Sequence, residues 1–487
     1  MRLRPLYLAA CGVLLFSSGC ASQLPRTHHE VRPAEFDRRF SADALRADLR
    51  FLLMTCEAVH PDLYHKASCA EVAALLTEIE SSLGEPLTRR KFFPHAARLA
   101  ACFGDGHTAV QSPYEEWNQF CAAGGLVFPM EVTLAGDVLR VVRCHQPDCP
   151  LAPGDTLLTI NGESVAAVLA RFRQERAGPA IWVDVLLAQR MTARLWLHGV
   201  RAPFEVEYVA TADGARRTVA LDGLPAAAWR IAASSAGRGP NYRFEWLDGD
   251  IGYLDFRSMV DRPAFRALLT PMFTELRDRP ARGLIVDLRR NGGGNSQLGD
   301  DLLSYISDRP YRMAGRKEWK VSRQLKSYLK AHVPVWIRWF PLEWLHEQGR
   351  RLWLTPEGQC AVFEGVLYRP PSNPLHFDGP VCLLIGRSTF SSALMLANAV
   401  ADYDLATLIG EETAETPNSF GEVYSFDLPH TRLSVGVSTA RFVRANGDAE
   451  DRGGVRPDIA VVATSEDERR GIDAALERAR RWITDGE

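Results

Sequence analysis

No two cysteines of the 487-residue chain are spaced as CxxC, which removes the commonest zinc-binding framework. No P-loop lysine accompanies the glycine run Gly292–Gly294, so a phosphate cradle of that kind is excluded as well. Charge of the two signs is nearly balanced overall. The 57 Lys and Arg residues face 60 Asp and Glu residues for a formal charge of −3, and no basic stripe stands out, so a nucleic-acid partner is not expected. Beyond the N-terminal leader no run is apolar enough to span a membrane. What remains is an ordinary globular composition, 46% hydrophobic and 24% charged, with core material for roughly two to four domains. Neither a metal nor a cofactor is called for.

The start of the chain has the character of a targeting segment. A basic "MRLR" precedes the apolar "PLYLAACGVLLF", which is short for a membrane span, and "SSGC" follows, ending at Cys20. This resembles a bacterial lipoprotein signal cleaved before Cys20, with lipid on its thiol, although Ser17 stands where such signals usually carry Leu. The rival is an ordinary secretory signal cut elsewhere, and either one implies export. Ala21 resembles the sorting residue of lipoproteins sent to the outer membrane, so the expectation is a lipid-anchored protein of the bacterial cell envelope, in the outer membrane and facing the periplasm. Of the ten cysteines, Cys11 and Cys20 lie in the leader and eight remain, an even number that fits disulfides in an exported chain. "CHQPDC" would staple Cys144 to Cys149 across a local turn, and Cys56 with Cys69 would clamp a helix end. Buried free thiols are the alternative.

Hydrophobic periodicity divides the rest. After the signal (1–20) and a polar tether (21–35), residues 36–123 carry a helical pattern, with Leu45, Leu49, Leu52, Leu53 and Cys56 on one face. From 124 to 245 the pattern is that of strands. There "LAPGDTLLTINGESVAAVLARF" resembles the core of a PDZ domain, a module that adds an extended peptide to a sheet edge. From 246 to 487 strands and helices alternate, including the buried runs "GLIVDL" and "VCLLI", which predicts an α/β layered domain. The tryptophan-rich segment 317–354 interrupts the alternation. It is expected to be an insertion serving as a substrate cap, with a membrane-resting patch or a self-packed helical insertion as alternatives.

Three distant motifs carry chemistry: "GDGHTAV" (Gly104–Val110), "DLRRNGGGNS" (Asp287–Ser296) and "GRSTFSSALMLANAV" (Gly386–Val400). The hydroxyls of the third sit where a strand hands over to a helix. Taken alone, Ser388 or Thr389 would be a helix cap and the others small packing residues. With "GEETAETPNSFGE" and "GGVRPDI", however, the set resembles the serine peptidase family of the C-terminal processing (tail-specific) proteases and the tricorn core. The resemblance includes domain order, helical, PDZ-like, then a ClpP/crotonase-like catalytic layer.

That resemblance implies the roles. The nucleophile lies nineteen residues before the glycine of the following "GE", here Gly410, which gives Ser391. A helix start favours developing negative charge, so the Ser392 amide would be one oxyanion donor. The glycine loop would supply the other from Gly293, with Gly292 and Asn291 lining the substrate. Tail-specific proteases take their base from a lysine twenty-five residues after the serine, where this chain has Thr416. The tricorn core uses an upstream histidine instead, which points to His107, with Gly106 standing where tricorn has a serine. Imidazole suits general-base work near neutral pH. The orienting acid would come from "AEDRGGVRPD", as Glu450 or Asp451, with register favouring Asp451. The implied activity is exported peptide or protein-tail hydrolysis through Ser391, His107 and Asp451. A binding protein with vestigial chemistry is the alternative, since the lysine is missing.

Overall fold

The computed structural model describes residues 31–237, 240–332, 347–464, 467 and 470–486. The leader with Cys20, and Trp336, Trp339 and Trp344 of the tryptophan-rich segment, lie outside the described residues.

The N-terminal helices begin where side chains satisfy orphan amides. Ser41 caps Ala42–Val59, Ser68 and Glu71 form a reciprocal capping box on Cys69–Ser82, and Thr88 caps Arg89–Ala101. The first helix buries Leu45, Leu49, Leu52, Cys56 and Val59, a stripe at helical spacing. Its partners include Phe426, Leu428, Leu433, Val435 and Val437, from a hairpin more than three hundred residues onward in the chain. The helices therefore complete their core against the C-terminal part. Asp48 locks that contact. Buried on the first helix, it accepts the His430 and Thr431 amides (2.9 and 2.8 Å) and the Thr431 hydroxyl (2.6 Å). The Cys56–Cys69 clamp is not formed: Cys56 is buried in the helical core, Cys69 is exposed, and both are free.

A second unit is an antiparallel sheet ordered Arg216–Leu221, Phe204–Val209, Thr156–Ile160, Val138–Cys144, Met130–Ala135. Helices Val165–Arg173 and Ala180–Leu197 pack on it around Leu139, Val168, Phe172, Leu187 and Val206. The sulfurs of Cys144 and Cys149 are bonded across the loop after one strand.

The α/β unit is a mostly parallel sheet. Ile251–Phe256, Gly283–Asp287, Val381–Ile385, Thr407–Gly410 and Ile459–Ala460 run parallel, and Tyr242–Leu247 is an antiparallel edge. Both faces are covered, which explains the unbroken apolar runs. Leu254, Val286, Leu383 and Ile385 face the helices Arg262–Asp278, Gln297–Ile306 and Ser392–Tyr403; Tyr253, Ile285, Cys382 and Leu384 face Ala474–Asp485. Beside it a second antiparallel sheet is ordered Cys360–Glu364, Arg316–Lys320, Ser434–Val443, Phe420–Asp427. The tryptophan-rich segment starts as a strand of this second sheet, where Trp319 donates its indole N–H to Thr439 at 2.7 Å.

Replacing Asp48 with Ala would leave its donors buried and unpaired. We expect a loss of about 3 kcal/mol in denaturant titration. An unchanged midpoint would show that the helices do not depend on this contact.

Candidate active site

The strand Val381–Ile385 ends at Gly386, and a tight turn leads to the helix Ser392–Tyr403. Thr389 braces this turn rather than capping the helix. Its hydroxyl accepts from the Gly386 amide (3.1 Å) and donates to the Leu288 carbonyl (2.9 Å). Ser391, the residue before the helix, has φ 55° and ψ −123°, a strained conformation for a residue with a side chain. Such strain lifts a hydroxyl out of a strand-to-helix turn, as in other nucleophile elbows. The Ser392 N–H opens the helix and has no intrahelical acceptor, so it is suited to an oxyanion. The Ser392 hydroxyl donates to the Gly294 carbonyl (2.6 Å) and ties the glycine loop to the helix start.

The loop Asn291–Gly294 approaches closely enough to require glycine. At Gly293, with φ +92°, a Cβ would lie 2.8 Å from both the Ser391 Cβ and the Ser392 nitrogen. The Gly293 amide, however, donates to the Asn291 side chain at 2.9 Å, so in this arrangement it is not available as an oxyanion donor. Asn291 is itself buried, with its side-chain amide on the Phe256 carbonyl (2.8 Å), and it braces the loop instead of facing a ligand. Gly292 is the exposed residue of the run.

His107 reaches this turn from the far end of the chain. After Arg89–Ala101, residues 105–108 form a turn in which Asp105 accepts the His107 amide (2.9 Å) and the Thr108 hydroxyl (2.5 Å). The strand Ala109–Val110 then pairs with Ser434–Val443. There the Ser438 hydroxyl also donates to Asp105 (2.6 Å) and its amide to Thr108 (3.2 Å). The result places His107 Nε2 3.3 Å from Ser391 Oγ.

The acid behind the histidine is where the sequence reading needs correction. Asp451 does not face His107. It pairs with Arg444, which is held in turn by Asp402 (2.6 Å), and it accepts the Gly453 amide (2.8 Å). Two close donors, the Arg444 guanidinium and the Gly453 amide, keep that carboxylate turned away. Glu450 is solvent-exposed, beside Arg452. Two other carboxylates approach His107 Nδ1: Asp105 Oδ1 at 3.9 Å and Glu415 Oε1 at 4.0 Å. Nδ1 and Glu415 Oε2 are buried without hydrogen-bond partners. Glu415 was missed because the "GEETAETPNSFGE" motif was read for its glycine and for the lysine position at Thr416, one residue after Glu415. Its adjacency to that position was the one available signal.

The two acids differ in charge. Burial alone would raise Asp105, but His60 (Nε2 at 3.4 Å), the nearby His107 and the Ser438 hydroxyl outweigh it and hold the carboxyl far below the usual range. Asp105 is therefore ionised. Burial pushes Glu415 well up, the charge of Asp105 adds to this, and the Ser391 amide and Arg176 oppose it only in part, so its protonated form is favoured. Burial also lowers His107, with Arg176 in the same direction and Asp105 against, which leaves the imidazole neutral and able to take a proton at pH 7. Among the described residues no group of three or more His, Cys, Asp or Glu side chains could hold a metal ion.

Comparison with known proteins agrees with this arrangement of elements. Mature CPAF has 17% identity to this chain, covers 91% of it and 98% of its own, and superposes with a TM-score of 0.66. The CPAF s499a mutant gives 15% identity, 91% and 97% coverage and the same TM-score. Mature CPAF complexed with lactacystin gives 17%, 91%, 99% and 0.65. At such identities the likeness is one of fold. Residues 250–461, which hold the parallel strands, the glycine loop and Ser391, match the family described as peptidase family S41, so this part of the chain is similar to a family of serine-type peptidases.

Proposed function

We propose that this is an exported, lipid-anchored peptidase that hydrolyses peptides or protein tails by acyl transfer through Ser391 and His107. The 3.3 Å approach of His107 Nε2 to the hydroxyl of a strained residue at a helix N-terminus carries this reading. Ser391 Oγ attacks the peptide carbonyl carbon while its proton passes to His107 Nε2. The carbonyl π electrons move to oxygen, and the Ser392 N–H stabilises the oxyanion. Collapse of this intermediate breaks the C–N bond, and His107 returns the proton to the departing amine. Water then attacks the acyl ester, again losing a proton to Nε2, and the acid leaves as Ser391 regains its hydrogen.

Asp105 supplies the charge that stabilises the imidazolium, and Glu415, whose protonated form burial favours, shapes the pocket. This replaces Asp451 in the scheme derived from sequence. The antiparallel sheet of residues 130–221, with its two helices, is the PDZ-like part in this reading and presents an extended peptide. The α/β unit is the crotonase-like layer. A vestigial binding protein fits less well, because a burial-lowered histidine in reach of a strained serine has no use in passive binding.

A fluorophosphonate probe should label wild-type protein and not Ser391→Ala. His107→Ala should slow labelling by roughly 10²–10⁴-fold. An unlabelled, folded wild type would sink the catalytic reading.

The acids can be ranked directly. Asp105→Asn keeps an acceptor for the His107 amide but loses the charge. Turnover should drop at least about tenfold, and the acid limb of activity should move to lower pH, because the histidine loses the group that raises it. Glu415→Gln preserves the neutral shape and should cost less, as should Asp451→Asn. If Glu415→Gln is the most damaging of the three, Glu415 and not Asp105 is the third member.

In the wild type the acid limb should lie below the ordinary histidine value of about 6.5, because His107 must be neutral to act and is depressed by burial. A limb above that value would contradict the described environment.

Export makes a separate claim. Thiol titration of the denatured, non-reduced mature protein should find six free cysteines, at 56, 69, 102, 121, 360 and 382. Eight would mean that the Cys144–Cys149 bond does not form in the cell.

A further inference from the structure

An imidazole base is usually held in orientation by a hydrogen bond at Nδ1. In this chain Nδ1 has no such partner, and both nearby acids are beyond hydrogen-bond reach. Something else must set the ring plane, and packing supplies it. Phe390, immediately before Ser391, stacks on His107 with centroids 4.9 Å apart and planes 25° from parallel. Phe390 is also stacked on Trp182, at 4.3 Å and 14°. Trp182 belongs to the helix Ala180–Leu197 of the antiparallel unit, outside the α/β layer, and is only 6% exposed.

The same unit holds the histidine backbone. Arg176, in the turn between the unit's two helices, donates from Nη2 to the Gly106 carbonyl at 2.6 Å. Its guanidinium lies 5.1 Å from the Trp182 ring centroid, a cation–π contact. The turn is built for this approach. Gly178 has φ +128°, and a Cβ there would come within 2.8 Å of the Trp182 ring and 3.6 Å of the Gly106 Cα.

We propose that Trp182 and Arg176 are positioning residues for the catalytic base: the antiparallel unit holds His107 in register with Ser391 through the Phe390 ring and the Gly106 carbonyl, so that catalysis requires this unit to be seated. The inference rests on the Ser391–His107 reading. It also predicts how displacement would act. The charged and titratable groups around His107 are Asp105 on its own loop, with His60 behind it, Glu415 after the strand Thr407–Gly410, and Arg176. Unseating the unit removes the cation and exposes the imidazole to water. Both changes raise the histidine and weaken its aim at Ser391.

The test uses the full-length protein and the rate of fluorophosphonate labelling at Ser391, followed against probe concentration and pH, with Ser391→Ala as the blank. Trp182→Leu stays apolar but cannot stack; its maximal labelling rate should fall about tenfold or more, as expected when a reacting group is misplaced. The half-saturating probe concentration should hold within about twofold, since ground-state binding does not use the stack. Trp182→Phe should recover much of the rate. Arg176→Gln should slow labelling and move the acid limb to higher pH, opposite in sign to Asp105→Asn. A merely structural role would lower the amount of active protein without moving the limb. Should Trp182→Leu fail to fold, the Arg176→Gln limb decides alone. A wild type labelled at Ser391 together with variants of unchanged rate and limb would overturn this inference only. An unlabelled wild type would remove the catalytic reading and this inference with it.

Discussion

The buried carboxylate of Asp105 is the constraint on which the rest of the site depends. Its oxygens receive the His107 amide, the Thr108 hydroxyl and the Ser438 hydroxyl, and His60 lies against it. An ionised group can stay inside a protein only when donors replace its water. Those donors come from three places in the chain: the helical part, the histidine turn itself and the strand Ser434–Val443. Satisfying one charge therefore forces the turn onto the strand and points His107 toward the α/β layer. The same negative charge lies near Nδ1, where positive charge develops when the imidazole takes a proton. One residue thus serves folding and chemistry by the same electrostatic means.

The conformation of Ser391 rests on different physics. Ser391 is strained because the strand Val381–Ile385 must turn sharply into the helix Ser392–Tyr403, and the turn is braced by Thr389 and by the close passage of Gly293. The helix contributes the Ser392 amide where an oxyanion would form, the Ala393 amide being taken by the Phe390 carbonyl. The α/β layer carries Thr416 near the serine, and the imidazole beside Ser391 arrives from elsewhere in the chain, next to Glu415, whose protonated form burial favours. An arrangement made of parts from separate units is sensitive to how those units sit, and the Trp182–Phe390–His107 stack is the physical link between them.

Much of this was legible in local pattern. Runs such as "GLIVDL" and "VCLLI" are apolar throughout because both faces of a parallel strand are covered, and that property needs no tertiary knowledge. The step from strand to helix at Gly386–Ser392 was visible too, as was the glycine run that passes it. Thr389 was less legible: a hydroxyl before a helix suggests a cap, whereas a turn between two strand ends gave it two other partners.

The sequence by itself determined the elements, the hydroxyl at the helix start, the single upstream histidine of "DGHT" and the lack of a lysine at 416, since each depends on residue type and near neighbours. The tertiary structure alone decided which carboxylate stands behind that histidine. Asp451 had the favoured register, but Arg444 and the Gly453 amide offered it better-matched partners, and a carboxylate follows its closest donors. Asp105 and Glu415 lie on opposite sides of His107 in the chain, two residues before it and some three hundred after, and are equally near it in space. The opposite directions in which the two are shifted follow from the donors and the burial that the fold collects around each. Hydrogen bonds and burial are properties of packing, and no spacing along the chain encodes them.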